Sequence, residues 1–97
     1  MEFEWDETKR RTVFRERGVD LLYAARIFNG DVLTRPDRRT DYGEERLIST
    51  GLVDGVCYVV VHTARQGKVR LISAWLGGRK RHEQYQASLA RRHQPDA

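Results

Sequence analysis

The apolar positions change period along the chain, and each change marks an element. Phe3-Glu4-Trp5 alternates, which predicts a short strand. Asp6 then reads as the N-cap of a helix over 7–17, with Glu7 in its first turn and Gly18 as its stop. Asp20 caps a second helix, in which Leu21, Ala24, Ala25 and Phe28 recur at helical spacing until Asn29-Gly30-Asp31 ends it. After a weak strand over 32–35 the period falls to two. Residues 46–53 predict a strand, and Asp54-Gly55 a tight hairpin. Residues 56–63 (VCYVVVHT) are apolar and β-branched nearly throughout, as in a central strand covered on both faces. Ala64-Arg65-Gln66-Gly67 turns the chain into a third strand over 68–75, which Gly77-Gly78 breaks. Residues 79–92 read as a basic helix with a thin apolar stripe of Tyr85 and Leu89. The order β-α-α-β-β-β-β-α predicts an α+β fold: a twisted antiparallel sheet, built as a β-meander, with two N-terminal helices and a basic C-terminal helix.

The hairpins carry a geometric expectation. A two-residue loop at Asp54-Gly55 pairs Val53 with Val56 and sets Arg46 opposite Thr63. A four-residue second loop pairs Thr63 with Lys68 and Val61 with Arg70. Arg46, Lys68 and Arg70 then share one sheet face, whereas a three-residue loop turns Lys68 and Arg70 away.

Length and charge narrow the class. The 97 residues fit one domain, 1–97, with a disordered tail expected from about residue 93. At 39% hydrophobic and 33% charged the chain is expected to be globular. A charged start and the lack of a long apolar run argue for a cytoplasmic protein without signal peptide or membrane contact. The single Cys57 excludes an internal disulfide and a cysteine-rich zinc site. Residues 1–63 hold 10 of the 18 basic and 12 of the 14 acidic side chains, so residues 64–97 hold 8 basic against 2 acidic. That asymmetry fits a polyanion, an acidic partner, or simply a solvated helix.

Phe3-Glu4-Trp5-Asp6, Gly18-Val19-Asp20, Asp41-Tyr42-Gly43-Glu44-Glu45-Arg46, Gly51-Leu52 and Arg70-Leu71-Ile72-Ser73-Ala74, in this order, resemble the BrnT toxin family from residue 2 to about 85. The resemblance implies a RelE-like ribonuclease, the toxin half of a type II toxin–antitoxin pair, that cuts RNA without a metal or other cofactor and so inhibits translation. It implies a BrnA-like antitoxin with a ribbon-helix-helix portion, two toxins on an antitoxin dimer, and operator DNA bound only through the antitoxin. Arg46, Arg70 and Tyr85 match the family pattern, as do Asp6 and Lys9. Glu16-Arg17-Gly18 stands where the family commonly reads Lys-His-Gly, and Trp75 where it commonly has Arg.

Metal-free RNA cleavage needs a group to take the 2′-hydroxyl proton, cations for the developing phosphorane charge, and an acid for the leaving 5′-oxygen. Arg46 and Arg70 suit the second task, because the guanidinium fork binds two phosphate oxygens and stays protonated. Tyr85 could position substrate or merely anchor its helix, and Lys9 or His82 could handle protons. Lys68, Trp75, Arg79, Lys80 and Arg81 complete the expected RNA contacts. His62, in the apolar strand, reads as structural. Trp75 has three readings: a lost catalytic cation, a core cap, or a base-stacking platform. A rival reading from another class is a non-catalytic module that grips RNA or protein through the basic C-terminal third. No paired carboxylates, Ser-His-Asp pattern, Gly-rich phosphate loop or metal-ligand spacing is present in the sequence.

Overall fold

A computed structural model describes residues 1–39, 41 and 43–92. The expected tail, like Thr40 and Tyr42, lies outside the described residues. The elements are β1 (Phe3–Glu4), α1 (Glu7–Arg17), α2 (Leu21–Ala24), a 3₁₀ turn (Ala25–Asn29), β2 (Leu33–Pro36), β3 (Leu47–Val53), β4 (Val56–Arg65), β5 (Lys68–Leu76) and α3 (Gly78–Arg92).

Local chemistry sets the helix ends. The Asp6 carboxylate accepts the Lys9 N–H at 3.1 Å, and Gly18, at φ 68°, donates its N–H to the Phe14 carbonyl at 2.8 Å. Arg10 grips Asp20 through two hydrogen bonds, at 2.7 and 3.1 Å, and so ties α1 to the cap of α2. That guanidinium holds the Asp20 carboxyl below its usual pKa. The second helix is shorter than its periodicity predicts. After Ala24 the chain tightens into the 3₁₀ turn, the Ala25 N–H bonding to both Leu21 and Tyr23 carbonyls. The tighter winding still buries Ala25 and Ile27.

The sheet has the order β1-β5-β4-β3-β2 and is mixed, which corrects the all-antiparallel expectation. β1 runs parallel to β5, with Phe3 beside Val69 and Glu4 beside Arg70. The first hairpin has the expected register, from Val53–Val56 to Leu47–His62, and the strand begins one residue after Arg46. The second hairpin differs. Its loop is only Gln66-Gly67, both at positive φ (52° and 76°), so Arg65 pairs with Lys68 and Thr63 with Arg70. The register therefore slips by two residues, which keeps the facing intact: Lys68 and Arg70 stay on the side of Thr63. A bulge between Val61 and His62 leaves Ile72 as the extra residue of β5.

Two apolar clusters flank the sheet. Val60, Leu71 and Ala74 meet Val13, Val19, Leu21 and Ile27 beneath the N-terminal helices. On the opposite face Ile48, Val59 and Val61 are buried, with Ile72 and Trp75 packed against them. α3 turns back against β4. A Cβ on Gly77 would lie 2.4 Å from the Cys57 sulfur, so only glycine allows that return. Tyr85, 4% exposed, pins α3 down by donating its hydroxyl to the Asp31 carbonyl at 2.7 Å.

Candidate active site

Directly opposed residues share a face, so Glu4, Arg70 and Thr63 form a row across β1, β5 and β4. The Thr63 hydroxyl donates to the Glu45 carbonyl at 2.6 Å, which brings the start of β3, and Arg46 with it, to the end of that row. Arg70 and Arg46 thus flank Thr63 on the face away from α1 and α2, about two strand spacings, or roughly 10 Å, apart.

The electrostatics of the row are more balanced than the sequence suggests. One Glu4 oxygen lies 3.5 Å from an Arg70 nitrogen and 3.9 Å from Arg65, yet that oxygen is buried without a hydrogen-bond donor. A carboxylate held by charge but unsaturated in hydrogen bonds keeps lone pairs free for a further donor. Lys68 lies 3.9 Å from Glu2, and Arg46 bonds Glu44 at 3.3 Å. The acidic N-terminal strand therefore lies against the basic start of β5.

Trp75 carries a feature that the sequence does not announce. Two guanidiniums lie over its indole, Arg17 at 5.2 Å and Arg39 at 5.3 Å from the ring centroid. Arg17 also donates to the Ser73 hydroxyl at 3.1 Å, and Arg39 grips the buried Asp37 carboxylate through two bonds of 2.8 Å. Trp75 is thus at once a cap on the second apolar cluster and a shelf for two cations.

The remaining expected residues are spread apart. Lys9 is exposed on α1, the helix packed on the other face of the sheet. His82 is half-buried on α3, with Nε2 buried and without a hydrogen-bond partner. Tyr85 anchors α3, its hydroxyl committed to Asp31, and burial pushes its pKa up. Arg79 and Lys80 are exposed, Arg79 bonding Glu83 at 3.2 Å, while Arg81 is half-buried beside Tyr85 and Thr50. His62 belongs to the helix side. Its Nε2 meets the Ser49 hydroxyl at 2.7 Å, its ring stands edge-on to Phe28, and burial lowers its pKa. Glu4, Arg17 and Arg39 stand beside the expected residues Arg70 and Trp75, and sequence reasoning missed these contacts. Only the placement of Arg17 beside the helix stop Gly18 hinted at one of them. Among the described residues no three His, Cys, Asp or Glu side chains converge as a metal-ligand set.

A guanidinium row on a strand meander, with a carboxylate beside it, suits the charge that develops on phosphate. The profile of a family described as "Ribonuclease toxin, BrnT, of type II toxin–antitoxin system" matches residues 5–80. The chain belongs to the BrnT toxin family. The match runs from Trp5 through Arg46, Arg70 and Trp75 into the first turn of α3, so every strand except β1 lies within it. A search of curated proteins gives no match. As a BrnT family member, the chain belongs to a class of ribonuclease toxins that work within toxin–antitoxin systems. No helix among the described residues is long and apolar enough to cross a membrane.

Proposed function

We propose that this BrnT protein is a single-domain, cytoplasmic, metal-independent endoribonuclease of RelE-like fold that blocks translation by cutting RNA. A BrnA-like ribbon-helix-helix antitoxin neutralises it in a heterotetramer of two toxins on an antitoxin dimer, and reaches operator DNA on behalf of the complex. The observation that carries the reading is the row of Arg46, Thr63, Arg70 and Glu4 on one face.

In the proposed reaction the substrate's 2′-oxygen bonds to the adjacent phosphorus while the bond from phosphorus to the 5′-oxygen breaks. Arg46 and Arg70 stabilise the extra negative charge of the phosphorane. Glu4, whose carboxylate lies against Arg70, takes the 2′-hydroxyl proton. His82 returns a proton to the leaving 5′-oxygen, Lys9 lying on the other face of the sheet, and Tyr85 contributes by holding α3 in place. Lys68, Trp75, Arg79, Lys80 and Arg81 bind the strand. The products are a 2′,3′-cyclic phosphate and a 5′-hydroxyl.

Incubating the purified protein with RNA in EDTA tests this directly. Cleavage should persist and leave cyclic phosphate ends. Arg70→Ala should cost about 2–4 kcal/mol of transition-state stabilisation, or about two to three decades in rate, with the fold intact. Unchanged cleavage by a folded Arg70→Ala protein removes Arg70 from the site. The ion pair between Glu4 and Arg70 and the loss of a family arginine at Trp75 favour a second reading, an attenuated or non-catalytic RNA-binding module. RNA that stays bound and uncut under the same conditions selects it.

A further inference from the structure

A groove of about 450 Å³ runs between α3 and the edge strand β2. Its walls hold Arg35 from β2, and Arg81 and Arg91 from α3, with Thr50, Gln84 and Ser88 between them. Residues 81, 84, 88 and 91 recur at helical spacing, so one face of α3 presents them together. None of the three arginines forms an ion pair with a carboxylate among the described residues, and no acidic side chain lines the groove. Arg91 bonds only the Ser88 hydroxyl, at 3.2 Å. This contrasts with Arg46, Lys68, Arg70 and Arg79, each of which has a carboxylate within 4.0 Å.

The groove is also continuous with the row. Arg35 pairs with Ile48, and Arg46 lies two residues before Ile48, just ahead of β3, where its carbonyl still accepts the Asp37 N–H; it is hence on the same face and about 7 Å away along the chain. That step is comparable to the spacing of successive phosphates in an extended single strand.

We propose that this groove binds the phosphodiester backbone of single-stranded RNA beside the scissile phosphate, with Arg35, Arg81 and Arg91 as its phosphate ligands. The proposal rests on the ribonuclease reading above and extends it, by giving the substrate a path from the row along β2 and under α3. Guanidinium forks match phosphate oxygens in pairs, and the hydroxyl and amide groups between them add donors. An acidic protein segment is the other polyanion to weigh. A docked helix needs an apolar stripe to bury, and the lining offers little beyond Leu33 and Ala87, since the Tyr85 ring is already buried.

The test uses the full chain and a 12-nucleotide 2′-O-methyl RNA, which binds but cannot be cut. Arg35→Gln/Arg91→Gln alters two exposed arginines without carboxylate partners and should fold normally. In single strands each phosphate contact releases about 0.7 counterion, so each is worth about fivefold in affinity at 0.1 M salt. The double variant should therefore bind roughly 25-fold more weakly, with a log–log salt slope shallower by about 1.4. Arg11→Gln/Arg15→Gln, with the same charge change on exposed positions of α1, should bind nearly as the parent does. Equal losses in the two double variants would reduce the effect to net charge and overturn the groove. So would parent-like RNA affinity in Arg35→Gln/Arg91→Gln, and if that variant instead lost affinity for a poly-glutamate peptide, the groove would be a seat for protein. Cleavage of ordinary RNA by the parent separates the layers: a parent that cuts RNA while the groove variant binds normally refutes the groove alone, and a parent that neither binds nor cuts refutes both.

Discussion

Replacing Trp75 by arginine probes the shelf that holds Arg17 and Arg39. The substitution removes two cation–π contacts, each worth about 0.5–1 kcal/mol at a partly exposed site. It also places a third guanidinium about 5 Å from two others. At the dielectric of water each such pair costs about 0.8 kcal/mol, so repulsion adds about 1.6 kcal/mol. Together these come to roughly 3 kcal/mol, before any loss of packing on Ile48, Val59 and Val61. For a domain of this size 1 kcal/mol moves Tm by about 4–8 °C, so Trp75→Arg should melt roughly 12–24 °C below the parent. Trp75→Phe keeps a ring under the guanidiniums and should lose only a few degrees. Thermal melts followed by circular dichroism at low and high salt separate the components. Salt screens the repulsion, so Trp75→Arg should recover part of its deficit in high salt while Trp75→Ala should not. A Trp75→Arg protein that melts with the parent and cuts RNA faster would refute the reasoning and mark position 75 as an open slot for a catalytic cation.

Three further outcomes follow from the same geometry. Glu4→Gln should slow RNA cleavage by about 10²–10⁴-fold if Glu4 takes the 2′-hydroxyl proton; a rate equal to or above the parent's would leave Glu4 as a mere counter-charge for Arg70. Gly77→Ala drives a methyl into the Cys57 sulfur and should cost about 1–3 kcal/mol in denaturant melts, with Cys57→Ala in the same chain restoring most of it. Because burial lowers the His62 pKa, the unfolded chain takes up the proton first; stability should fall as pH drops below about 6.5 and level off below the folded-state pKa. His62→Gln should flatten that acid slope, and an unaltered slope would assign the pH dependence to other groups.

Local chemistry was legible in the sequence. Asp6, Gly18 and Asp20 announced the ends of α1 and the start of α2, because caps are read within a few residues. Asp54-Gly55 set the β3–β4 register, which brought Arg46 beside Thr63. The second hairpin was harder, since Gln66 adopts a positive φ that non-glycine residues take infrequently, and a longer loop was the natural expectation. Its facing survived because the slip was an even number of residues. Nothing local reveals that β1 pairs parallel to β5, so the sequence shows Glu4 only as part of a motif and does not place it against Arg70. The stacking of Arg17 and Arg39 over Trp75 was hidden for the same reason. It joins the end of a helix, the segment after β2 and a distant strand.

The pairing of β1 with β5 also sets an order of assembly. Phe3 and Glu4 meet Val69 and Arg70 by closing about two thirds of the chain into a loop, at an entropic cost of about 3–4 kcal/mol for roughly 65 residues on logarithmic scaling. The hairpins of β3, β4 and β5 close over two residues each and can form early. Arg70 therefore reaches its strand before Glu4 reaches Arg70, and the row is completed by the last long-range contact to form. Until β1 docks, the folded hairpins hold the arginines without their carboxylate, so a partly folded chain lacks the full set of groups that the finished protein brings to phosphate.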